Sequence, residues 1–131
     1  MELHEFENLI NQAVEELPET IQQKMDNVDI VVEEGESPNN SLFGLYHGVS
    51  QLNRGSVYGM GAVLPDKITI WKGTIEKFAF RQAQGLSAGD EESTIKTLVR
   101  RVVWHEIGHH FGFDEPGIRR LEEKWAKENK V

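Results

Sequence analysis

The chain has 131 residues, 38% of them hydrophobic and 27% charged, which suits one folded domain spanning 1–131 and leaves too little for a second sizeable core. A net charge of −8 excludes a general nucleic-acid-binding surface; Arg100-Arg101 and Arg119-Arg120 are isolated pairs. The absence of cysteine excludes disulfides and thiolate metal sites. No apolar run approaches the roughly 20 residues that span a bilayer, and the start, MELHEFENLI, lacks the basic and apolar regions of a signal peptide. A cytoplasmic protein without a membrane or nucleic-acid partner is expected.

Leu3, Phe6, Leu9, Ile10, Ala13, Val14 and Leu17 recur at helical spacing, and Pro18 stops the pattern before a short second helix to about Met25. Val28–Glu33 is rich in β-branched residues and predicts a strand. Residues 34–56 collect Gly, Ser, Asn and Pro and predict loop, with one edge strand over the apolar island Leu42–Tyr46. Val57–Leu64 and Lys67–Trp71 flank Pro65-Asp66, a dipeptide suited to a tight turn, so a hairpin is expected. Gly59-Met60-Gly61 inside it lacks the third glycine and following helix of a nucleotide loop and predicts a bulge. Thr74 to about Gln84 predicts a helix. A loop to Gly89 precedes a long helix capped by Asp90 and running to Phe111. Gly112 ends it, and Pro116 sits in the first turn of a last helix carrying Ile118, Leu121 and Trp125. The fold class is therefore α+β: a small three- to four-stranded sheet packed on a long helix with flanking helices.

The long helix contains Trp104-His-Glu-Ile-Gly-His-His-Phe-Gly-Phe-Asp-Glu-Pro116, which holds three of the five histidines. His105 and His109 are four apart, hence about 40° apart on a helical wheel, and their rings can converge on one ion. Glu106 lies about 100° from His105 and about 60° from His109, too far round to be a ligand but able to reach a water beside the ion. This is the H-E-x-x-H arrangement of two zinc ligands and a general base. Apolar residues on both sides, including Val102, Trp104 and Ile107, predict burial nearly all round. Polar side chains there need a partner, and a divalent cation is one. Ordinary hydrogen-bonded histidines are the bland alternative. The spacing extends to H-E-x-x-H-x-x-G-x-x-E, in which Gly112 turns the chain back and Glu115 is the expected third ligand. Asp114 is the alternative third ligand, or both carboxylates serve only to cap the last helix. His110 is expected to be packed, His4 and His47 to lie on the surface or in loops, and Tyr46 and Tyr58 to be structural.

These residues, with Leu17-Pro-Glu19, Asn27–Glu33, Leu42–Tyr46, Leu64–Ile70 and Val103–Glu115, make the chain resemble the small bacterial zincin-like metallopeptidase family over nearly its full length. The resemblance implies a minimal zincin fold and an acidic residue in place of a third histidine, the position held here by Glu115. It departs from better-studied extended-motif peptidases in one respect. Met1, Met25 and Met60 all precede the site, so no methionine turn can floor it. The expected function is a zinc-dependent peptidase acting on a peptide or protein, with zinc on His105, His109 and Glu115 and with Glu106 as base. The rival expectations are a metal-binding regulatory protein without turnover, and a metal-dependent amidase acting on a small substrate.

Overall fold

The computed structural model describes residues 1–55, 65–84 and 88–129. The elements run α1 (Leu3–Glu15), α2 (Glu19–Lys24), β1 (Val28–Glu33), β2 (Gly44–His47), β3 (Asp66–Trp71), α3 (Lys72–Gln82), α4 (Ala88–Phe111) and α5 (Glu115–Asn129), with 3-10 turns at Pro38–Asn40 and Gln51–Asn53. α1 buries Phe6, Ile10 and Ala13 along one stripe. It ends before Pro18, whose ring disfavours helical geometry in the residue preceding it, and Leu17 there folds into the core.

The described sheet has the order β1-β3-β2, with β1 parallel and β2 antiparallel to the central strand. Alternation along β3 turns Asp66, Ile68 and Ile70 inward, and both isoleucines are fully buried. The fold class is thus α+β, as the sequence predicts. Residues 57–64, the expected hairpin partner, lie outside the described residues, as do Tyr58 and the glycine pair at 59 and 61. Among the described residues, β3 is flanked by β1 and β2. β2 is the expected edge strand, beginning two residues later and ending one residue later, at Gly44–His47.

The long helix α4 packs against α1, α3, α5 and the sheet. Because it meets neighbours on several sides, its apolar residues occupy more than one face: Ile95, Val99, Val103, Trp104 and Ile107 are all buried. Trp104 donates its indole N–H to the Ala13 carbonyl at 2.8 Å and meets Trp125 edge-on at 6.0 Å, tying α4 to α1 and α5. At Gly44 the backbone of β2 passes so close to α4 that an added Cβ would lie 2.6 Å from Val102 Cγ1. That approach brings β2 alongside the histidines of α4. No helix among the described residues is long and apolar enough to cross a membrane.

Candidate metal centre

α4 ends where the sequence predicts, and the ending positions the third carboxylate. Gly112 takes φ +99°, a region that glycine enters without a Cβ penalty. The Phe113 N–H reaches the Gly108 carbonyl at 3.2 Å and the Gly112 N–H the His109 carbonyl at 2.9 Å, the paired bonds of a Schellman ending. Asp114 then caps α5, its Oδ1 accepting the Gly117 N–H at 2.9 Å. With Asp114 occupied, Glu115 as first residue of α5 swings back to the histidines. Its Oε1 lies 3.2 Å from Nε2 of His105 and 3.2 Å from Nε2 of His109.

The ligand atoms of His105, His109 and Glu115 all lie within 4.8 Å of one another. Tetrahedral zinc with bonds of about 2.05 Å has ligand atoms roughly 3.3 Å apart, so both histidine–carboxylate separations match the edges of such a site. Two imidazoles and a carboxylate form a donor set suited to zinc, with room for a fourth ligand. The expectation of burial all round fails on this face. The His105 and His109 side chains are 33% and 31% exposed, because two clefts rather than a packed element border them.

Glu106 is only 8% exposed. Burial pushes its carboxyl above the usual glutamate range, against the opposing pull of His105, His109 and the main-chain N–H of Tyr46, which donates to it. Glu122, which the sequence reading missed, stands 3.7 Å from His105 Nδ1. The Glu122 carboxylate beside it does most to raise the His105 pKa, with burial opposing and the charges of Glu106 and Glu115 assisting. The same contact turns His105 Nε2 towards Glu115 and His109. Glu122 comes seven residues after Glu115, two helical turns on, so a wheel of α5 would have found it. α5 supplies both Glu115 and Glu122.

His110 is fully buried, as expected of a packed residue, and belongs to a polar network behind the cluster. Its Nδ1 lies 3.0 Å from Asp66 Oδ2, and its Nε2 meets the Asp26 N–H at 3.3 Å and the Gln51 amide at 3.0 Å. Asp66 also accepts from the Tyr46 hydroxyl, from the Val49 N–H at 3.0 Å and from Arg54 at 3.0 Å. Tyr46 is thus structural, while His4 and His47 are exposed as expected. Burial raises the Asp66 pKa, yet the bonds from Tyr46, His110, Val49 and Arg54 outweigh it and hold the carboxyl below its ordinary value.

A carboxyl whose native pKa is depressed contributes stability that is fully present above its unfolded value of about 3.9 and is lost as pH falls through the native one. Asp66→Asn removes the charge that His110 and Arg54 share, while Arg54 keeps Asp26 at 3.0 Å, and is expected to cost about 1–3 kcal/mol at pH 7. The cost should shrink in urea melts below about pH 4. A difference that stays constant down to pH 2 would show that the Asp66 charge is not the source.

A His-Glu-x-x-His helix beside a small sheet, with a carboxylate from the next helix completing the cluster, is an arrangement of metal-dependent hydrolases. The chain belongs to the zincin-like metallopeptidase family, whose sequence model matches residues 25–125. That match takes in β1, β2, β3, α3, α4 and α5 as far as Trp125. No curated protein matches the chain. The family implies a metal, typically zinc, and a peptide or protein substrate.

Proposed function

We propose that the protein is a zinc-dependent peptidase in which His105, His109 and Glu115 hold the metal and Glu106 is the general base. The observation that carries this reading is the convergence of three ligand atoms within 4.8 Å, beside a buried glutamate on the adjoining helix face. Zinc bound there supplies Lewis acidity, bringing the pKa of a water towards 7 and polarising a carbonyl. Glu106 takes the proton of the attacking water on its carboxylate and passes it to the nitrogen of the leaving amine. The Tyr46 N–H keeps that carboxylate aimed at the cluster. Glu122, 3.7 Å from His105 Nδ1, would favour the tautomer with its proton on Nδ1, which keeps Nε2 available as a ligand atom. A peptide lies extended along the side of β2 that faces away from β3. The alternative strand over residues 57–63 lies outside the described residues.

Incubation with a mixed-sequence peptide library tests this reading. Cleavage products are expected, they should disappear with a chelator, and they should return on adding zinc. Cleavage that is indifferent to the chelator would overturn the metal mechanism. Zinc binding without any cleavage would leave the metal-binding regulatory reading in its place.

A further inference from the structure

β2 is pinned at two points of close approach. At Gly44 its backbone leaves no room for a Cβ beside Val102 of α4. Just past its other end, at Gly48, φ is +148° and the Asp66 side chain fills the space that a Cβ would take. Tyr46 lies midway between these points. Its main-chain N–H donates to Glu106, and its hydroxyl donates to Oδ2 of the buried Asp66. One residue thus holds the candidate base with its main chain and a buried anchor with its side chain.

The anchor leads back to the helix that carries Glu106. Asp66 Oδ2 lies 3.0 Å from Nδ1 of His110, and His110 follows Glu106 by four residues, one turn along the same side of α4. The contacts therefore close a ring: Glu106, the main chain of Tyr46, its hydroxyl, Asp66, His110, and α4 back to Glu106. Glu106, Asp66 and His110 are all buried, so water competes little for these bonds. Asp66 is itself fixed from elsewhere in the chain. It starts the central strand opposite Val28, and it accepts the Val49 N–H at 3.0 Å and Arg54 at 3.0 Å. The Tyr46 hydroxyl has a single proton, committed to Asp66, which leaves none to polarise a substrate carbonyl.

We infer that the Tyr46 hydroxyl, anchored on Asp66, positions the general base: it holds the β2 main chain where its N–H fixes the Glu106 carboxylate beside the metal cluster. The inference rests on the reading of Glu106 as the base. Tyr46 and Asp66 are positioning residues that act through Glu106. A reacting group displaced by about 1 Å can cost ~100-fold in rate, so one loosened link in the ring is enough to show in turnover.

The test is Tyr46→Phe, which keeps the ring, its contact with His110 at 6.0 Å and the other bonds to Asp66, and removes one link. The first readout needs no turnover: amide hydrogen exchange followed by NMR on the zinc-loaded, nitrogen-15-labelled protein. The main-chain N–H at position 46 is expected to exchange at least ~10-fold faster in Tyr46→Phe than in the wild type, and faster also in Glu106→Ala, while the N–H groups of β3 keep their protection. The second readout is kinetic. With a peptide that the wild type cleaves, kcat should fall about 10-fold in Tyr46→Phe, with KM within about 2-fold and zinc content unchanged. Added to Glu106→Gln, the same substitution should cost less than about 2-fold more, because no base remains to be positioned. Unchanged exchange at position 46 in Tyr46→Phe would overturn the inference. So would a loss of kcat that adds in full to that of Glu106→Gln, the mark of a merely structural effect. Cleavage by Tyr46→Phe at the wild-type kcat would overturn it while leaving the peptidase reading intact. Exchange that responds as described, in a protein that cleaves no peptide, would sink the peptidase reading and uphold the hold of the hydroxyl on Glu106.

Discussion

Glu106→Gln is expected to keep its fold and its zinc while losing at least ~100-fold in kcat/KM, the scale on which a general base contributes. The substitution preserves shape and keeps a carbonyl oxygen to accept the Tyr46 N–H, so the contact between β2 and α4 survives. An uncharged amide is also easier to bury at 8% exposure than a carboxylate whose pKa burial already pushes up. What the amide lacks is a basic oxygen to take and return a proton. The loss should therefore fall on kcat, with KM little changed. A variant that holds zinc and cleaves at the wild-type rate would remove Glu106 from the mechanism.

Glu115→Ala should weaken zinc binding by ~10-fold or more, the scale seen when a metal site is disturbed, whereas Asp114→Ala should leave zinc affinity unchanged and cost ~1 kcal/mol of stability. The two carboxylates are adjacent in sequence but face different tasks. Glu115 Oε1 stands 3.2 Å from each histidine Nε2, while Asp114 Oδ1 is committed to the Gly117 N–H at 2.9 Å. Titration against a chromophoric chelator reads the first effect and urea melts the second. Loss of zinc affinity in Asp114→Ala with none in Glu115→Ala would exchange the two roles.

How much of this was legible in the sequence depended on how local each cause is. The spacing of His105, His109 and Glu115 could be read because a helix and a glycine ending fix their relative positions within eleven residues. The role of Asp114 as a cap was readable for the same reason. Burial of the metal-facing side was misjudged, since apolar neighbours on α4 show that a helix is packed but not where the packing stops. The polar network behind His110 could not be read at all. Asp66 sits next to a proline in a stretch that looks like a turn, yet its partners Tyr46, Val49, Arg54 and His110 come from distant elements. The parallel pairing of β1 with β3 could not be read, because the two strands are more than thirty residues apart and no local turn joins them.

Zinc content measured by elemental analysis, on protein purified without chelator, tests the metal centre most directly. About one zinc per chain is expected for the native protein, with most of it lost in His105→Ala/His109→Ala, and removing it from the native protein should lower the melting temperature because the ion binds only the folded state. Less than about a tenth of an equivalent in the native protein, with no uptake when zinc is added, would contradict a zinc site formed by His105, His109 and Glu115.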